Sequence, residues 1–137
     1  MGNNIDVLTP RSVAGCVELE YFNLFNNNIV HIPPNTFAGN PELETLGLGL
    51  NQIETLHPLA LFGTVIEHLD LSLNRISVFD PTWYEAINGT LHSLDLLANG
   101  ISSLPSDGFR TLRDIEVLVL NYNPLRNVPG NAFISLD

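Results

Sequence analysis

The chain has 137 residues, 45% of them apolar, which suffices for a packed core and excludes a disordered segment. Its 15 acidic residues face 5 basic ones, all arginine, for a formal net charge of -10, a balance that argues against nucleic acid as a partner. No apolar run nears the roughly 20 residues a bilayer crossing requires, so no membrane insertion is expected of this segment.

Taken in chain order, the first stretch carries Asn3, Ile5, Leu8, Pro10 and Val13, a spacing that returns at Asn27, Ile29, Ile32, Pro34 and Phe37. A full unit opens at Leu19 with the frame Leu-x-x-Leu-x-Leu-x-x-Asn-x-Leu, and the frame restarts at Leu43, Ile66, Leu91 and Ile115. The frame asparagines Asn27, Asn51, Asn74, Asn99 and Asn123 are separated by steps of 24, 23, 25 and 24 residues. Behind each frame come an apolar residue (Ile32, Leu56, Phe79, Leu104, Val128), a proline, and a large apolar residue (Phe37, Leu61, Tyr84, Phe109, Phe133). A repeat of this length is one structural unit that cannot bury its apolar face alone. One domain over 1–137 is therefore expected: residues 1–18 are the second half of a repeat, and the last repeat is truncated at 137. Neither end shows a cap, which points to an excised piece of a longer array.

These residues resemble the leucine-rich repeat family over nearly the whole chain, Asn3 to Leu136. The 24-residue unit with its Phe-rich second half is similar to the typical subclass of animal extracellular proteins, such as Toll-like receptor ectodomains and insect immune leucine-rich proteins. The plant receptor pattern is absent, because Ile29-Val-His-Ile32-Pro33 stands where its glycine would fall. The resemblance implies an α/β solenoid: a horseshoe segment with a concave parallel sheet of short strands and a convex side of loops or 3-10 helix. It also implies an extracellular or cell-surface setting. The single Cys16 is equally compatible with a reducing compartment.

Within the frame, strand alternation sends Leu94 and Leu96 inward while Ser93, Asp95 and Leu97 point out. The frame asparagines Asn3, Asn27, Asn51, Asn74, Asn99 and Asn123 carry amides able to satisfy backbone groups where the chain leaves the sheet, a structural ladder. The outward rows are then Tyr21, Thr45, His68, Ser93 and Val117; Asn23, Gly47, Asp70, Asp95 and Val119; and Phe25, Gly49, Ser72, Leu97 and Asn121. Asp70 beside Asp95 reads either as a solvated acidic face or as a pair able to bind a divalent cation or raise one another's proton affinity. Gly47 and Gly49 read either as a notch for a partner's side chain, walled by Tyr21, Asn23 and Phe25, or as a weakened strand. Glu20, Glu44, Glu67 and Glu116, with His92 between, form an acidic edge that would steer a partner with a basic surface, or a merely solvated rim. Leu97, Val117 and Val119 make a small apolar patch.

Asn88-Gly89-Thr90 is the one glycosylation sequon, in the extended loop before Leu91, and with 16 Asn and 16 Ser or Thr about two would arise by chance. Cys16 occupies the slot of Leu112 and is expected to be buried, as is Trp83. His31 and His57 have no partners at ligand spacing. No glycine-rich phosphate loop, nucleophile elbow or HExxH sequence occurs, so neither an enzyme nor a cofactor is expected. The leading expectation is a recognition module binding a protein ligand on its concave face. A structural scaffold, or self-association through uncapped ends, is the alternative, with metal-assisted catalysis at the aspartate pair a remote third.

Overall fold

The computed structural model describes residues 2–134 and 136, so Met1 and Asp137, the expected limits of the domain, lie outside the described residues. Five three-residue strands, β1 (Tyr21–Asn23), β3 (Thr45–Gly47), β5 (His68–Asp70), β6 (Ser93–Asp95) and β7 (Val117–Val119), form one parallel sheet in the order β1-β3-β5-β6-β7. Register is strict from repeat to repeat: Leu46 faces Phe22 and Leu69, and Leu94 faces Leu69 and Leu118. The period of two explains why so short a strand suffices, since each contributes one central apolar residue to the interior and two side chains to the outer face. The fold is the solenoid implied by the sequence pattern.

The return side is more varied. β2 (His31–Ile32) and β4 (Thr55–Leu56) pair in parallel as a second, two-stranded sheet, and Ser103 bridges Asn127 in the same sense further along. Repeat three instead forms a 3-10 helix, Pro81–Ile87: Asp80 caps it by accepting the Thr82 N–H at 3.0 Å, and Pro81 begins it without wasting a donor. The second-half residues close the core. Phe79 and Phe109 lie 4.8 Å apart between ring centroids, and Trp83 packs edge-on to Tyr84 at 5.1 Å. Trp83 is buried as expected.

Frame residues of the middle repeats, such as Leu46, Leu71 and Leu96, are wholly buried, whereas Leu19 and Phe22 at one end and Leu118 and Leu120 at the other are only partly so. Each repeat's apolar face is thus completed by its neighbours. The same end effect corrects the expectation for Cys16, which is exposed: Leu112, in the equivalent slot, lies between the repeats before and after its own, while among the described residues Cys16 has a complete repeat on one side only.

The frame asparagines are tied across repeats. The Asn74 Oδ1 accepts the Ile53 N–H at 2.9 Å, and its Nδ2 donates to the carbonyls of Leu48 and Leu71 at 3.0 Å and Ser72 at 3.1 Å. Asn51, Asn99 and Asn123 repeat the arrangement, and Asn27 makes the part of it available at its end of the sheet. Asn3 does not join this ladder: among the described residues it is exposed, makes no side-chain hydrogen bond, and has no strand ahead of it whose carbonyls it could serve. The residue before each frame asparagine, Asn26, Leu50, Leu73, Ala98 or Tyr122, takes a left-handed conformation with φ between 50 and 60°. That conformation turns the chain inward so the next amide meets the backbone, at a steric cost of about 1–2 kcal/mol per non-glycine residue.

Asn74→Ala strands the Ile53 N–H and leaves carbonyls of two repeats short of a donor. At about 1–3 kcal/mol per unsatisfied buried group, it should lower the unfolding free energy by about 3 kcal/mol or more. Asn123→Ala, in a half-buried turn, should cost less. Urea denaturation of both variants checks the size and the order.

Candidate functional site

Strand pairing sets the outward side chains in rows about 4.8 Å apart. The first row, Tyr21, Thr45, His68, Ser93 and Val117, lies side by side across the sheet, as does the second, Asn23, Gly47, Asp70, Asp95 and Val119. Tyr21 (61% exposed), Phe25 (45%) and Val117 (49%) offer the largest free apolar surfaces among these rows. Leu97 and Val119 are half-buried and Asn121 is exposed.

The glycine notch is half open. Around Gly47 a hollow of about 280 Å³ is bounded by Tyr21 and Asn23 on one side and by His68, Asp70, Ser93 and Asp95 on the other. At Gly49 there is no vacancy. A Cβ there would meet the Asp70 carboxylate at 2.7 Å and the Ser72 hydroxyl at 2.9 Å, and both Gly49 and Ser72 are buried. Their place in an exposed third row is therefore corrected: with no side chain on Gly49, the polar groups of the next repeat lean over it.

Asp70 and Asp95 face one another across β5 and β6, yet each is engaged. The Asp70 Oδ1 accepts the Ser72 N–H, and the Asp95 Oδ1 the Leu97 N–H, both at 2.8 Å. Asn23 does the same for Phe25 at 2.8 Å while its Nδ2 donates to the Tyr21 hydroxyl at 3.0 Å. The second-row residue thus closes an Asx turn where the strand ends, using one side-chain oxygen. Neither the acidic-face nor the cation-pair expectation for Asp70 and Asp95 included this turn-closing duty. The signal was present as Asn or Asp at one frame position in three repeats. Among the described residues no three of His, Cys, Asp and Glu gather as a metal site.

Along the entry edge, Glu20, Glu44 and Glu116 are exposed and Glu67 half-buried. Their backbones continue the sheet: the Glu20 carbonyl accepts N–H groups of Glu44 at 2.9 Å and Thr45 at 3.0 Å, which holds the carboxylates at strand spacing. His92 interrupts them with its ring nitrogen 2.6 Å from the Thr90 carbonyl. At the opposite edge lies a feature outside the three rows: the left-handed residues Leu50 (39%), Leu73 (41%) and Tyr122 (85%) are exposed. The apolar residue ahead of the frame asparagine was its visible sign. His31 bonds the Thr55 hydroxyl at 3.0 Å and His57 accepts the Leu59 N–H at 3.1 Å, both on the return side. Asn88 ends the 3-10 helix and is half-buried.

The family described as Leucine rich repeat matches residues 1–53, 18–76 and 89–137. The chain belongs to the leucine-rich repeat family. It is 32% identical over 80 residues to Toll-like receptor 3 of Bos taurus, covering 58% of this chain and 9% of that protein. It is 35% identical over 86 residues to Tsukushi of Mus musculus, covering 61% and 24% respectively. Its structure matches the TLR13–ssRNA13 complex with a TM-score of 0.88 and 28% identity, over 97% of this chain and 19% of the other. An internalin (inlF) of Listeria monocytogenes aligns with a TM-score of 0.74 and 25% identity, over 98% and 37%. The chain thus spans under a quarter of these curated relatives. The resemblance to animal extracellular leucine-rich repeat proteins holds at this level.

If the Asp95 carboxylate closes its turn as described, Asp95→Ala should cost about 1–2 kcal/mol and Asp95→Asn clearly less, since the amide oxygen still accepts the Leu97 N–H. Thermal unfolding of the two variants measures the difference.

Proposed function

We propose that this chain is a non-enzymatic recognition segment of an extracellular or cell-surface leucine-rich repeat protein, binding a protein ligand on its concave face. In this reading residues 1–137 are one domain with repeats starting at 19, 43, 66, 91 and 115. The observation that carries it is the exposed set Tyr21 and Val117 on a hydrogen-bonded sheet with Phe25 held by the Asx turn at the end of β1. Side chains held by a parallel ladder are ordered before a partner arrives, which lowers the entropic cost of binding. Aromatic residues are the usual anchors of protein interfaces. Around them Gly47 leaves a hollow, and Glu20, Glu44, Glu67 and Glu116 supply an acidic border suited to a partner with a basic surface.

The TLR13 neighbour was solved with single-stranded RNA, so this architecture accommodates nucleic acid. For the present chain a net charge of -10 and an edge of carboxylates favour protein, because a phosphate backbone calls for clustered Lys and Arg. A second reading, self-association through the solenoid ends, draws on the exposure of Val7 (66%) and Val17 (57%) at one end and Ile134 (75%) at the other.

A panel of secreted and cell-surface ectodomains screened against the immobilised chain, with single-stranded RNA alongside, tests the proposal. A protein hit should lose affinity about tenfold or more with Phe25→Ala or Tyr21→Ala, and not with Val78→Ser on the return side. Its association rate should fall as salt rises if the glutamate edge steers it. RNA binding without a protein hit would overturn the protein-ligand reading. Concentration-dependent mass lost on Ile134→Asp would favour self-association.

A further inference from the structure

The Asn88-Gly89-Thr90 sequon sits where the step between frame asparagines lengthens from 23 to 25 residues, and recognition on the concave face makes no use of it. Asn88 is the C-cap of the 3-10 helix, and its side-chain amide makes no hydrogen bond among the described residues, unlike the ladder amides. Gly89 is exposed, with nothing within 4 Å of the place a Cβ would take. The loop is therefore open at its acceptor.

A hollow of about 480 Å³ starts at Asn88 and Gly89 and is otherwise lined by Arg110, Thr111, Arg113 and Asp114. Its lining is hydrogen-bonding side chains rather than aliphatic ones: two guanidinium groups, a hydroxyl and a carboxylate. Neither guanidinium is engaged in an ion pair among the described residues. A second, smaller hollow of about 130 Å³ adjoins it through the shared Arg110 and Thr111. Tyr84 is among the residues that line it, and the Tyr84 hydroxyl is buried with no hydrogen-bond partner among the described residues. Thr111 stands close to that hydroxyl without completing a hydrogen bond to it. A native buried hydroxyl without a partner calls for an occupant, water or ligand, beside it. The larger hollow is thus a polar trough that begins at Asn88 and is floored by residues of repeat four.

We propose that Asn88 carries an N-linked oligosaccharide whose first sugars lie in this trough, hydrogen-bonded by Arg110 and Arg113. The proposal rests on the extracellular reading above for the compartment in which the sugar is added. In the transfer, the Asn88 Nδ2 bonds to the anomeric carbon of a polyprenyl-diphosphate-linked oligosaccharide. The carbon–oxygen bond to the diphosphate breaks, the diphosphate leaves with the electron pair, and the amide loses one proton. Sugar hydroxyls present donors and acceptors all round, which suits a floor of guanidinium, hydroxyl and carboxylate. Docked in this way, the glycan covers the loops of repeat four and leaves Tyr21, Phe25 and Val117 free.

The full chain, secreted from eukaryotic cells behind a cleavable leader, tests the site and the trough separately. Intact mass should show one oligosaccharide, absent in Asn88→Gln. Peptide:N-glycosidase should release it about tenfold more slowly from the native than from the denatured chain, the effect of about two ordinary hydrogen bonds. The double variant Arg110→Ser, Arg113→Ser should keep the glycan and the melting midpoint but lose most of that protection. Folded, secreted chain without added mass overturns the site. A glycan released equally fast from native and denatured chain, or a protection indifferent to the two arginines, overturns the trough. Because the leader imposes the compartment, none of these results bears on where the natural protein resides; a failed ectodomain screen, conversely, leaves the glycan measurement intact.

Discussion

One amide per repeat, meeting backbone groups from two repeats, organises this molecule. Asn51, Asn74, Asn99 and Asn123 each accept an N–H from the preceding repeat and donate to carbonyls of both that repeat and their own. A chain leaving a strand by a sharp left-handed turn exposes carbonyls that would be buried without partners, and such groups are costly. The side-chain amide removes the cost and, in the same step, fixes the stagger of one repeat against the next. Strict register across five strands, apolar residue facing apolar residue, follows from that spacing.

Once the stagger is set, the two sides of the solenoid diverge. The sheet side is held at one strand spacing with little freedom. The return side has no such constraint, so it forms a two-residue strand in repeats one and two, and a 3-10 helix where Asp80 and Pro81 allow it. The helix also brings Trp83 and Tyr84 inward together, and the price is a buried tyrosine hydroxyl whose ionisation is pushed up by that burial. The variable side therefore hosts the hollows beside the helix, and the regular side hosts the outward rows with the hollow at Gly47.

The outward rows are not all surplus to the fold. Asn23, Asp70 and Asp95 each spend one oxygen on closing a turn, which leaves the other polar atoms for the outer face. A polar residue in that row is simultaneously structural and presented, so its charge reaches a partner from a fixed position. The side chains of Tyr21, Phe25 and Val117 close no turn, the Tyr21 hydroxyl only accepting from the Asn23 amide, and their exposure distinguishes them from the buried leucines of the frame.

Much of this was legible as period and residue type. The frame from Leu19 onward marked the five strands of the larger sheet, their inward apolar residues and the asparagines Asn27 to Asn123 of the ladder, because a residue required once per repeat recurs at a fixed interval; the return-side strands β2 and β4 were not marked. The outward rows were legible for the same reason, as strands alternate. What the pattern did not carry depends on who stands next to whom. Cys16 and Leu112 occupy one slot, yet one is exposed and the other buried, because burial is conferred by the following and preceding repeats rather than by the slot. Asn3 shares its slot with Asn27 but, among the described residues, has no strand ahead of it whose carbonyls it could serve. Gly49 looked like a gap until Asp70 and Ser72 were found leaning into it. Periodicity is a property along the chain and survives in one dimension; contact between repeats is settled only in space, where each side chain's surroundings belong to its neighbours.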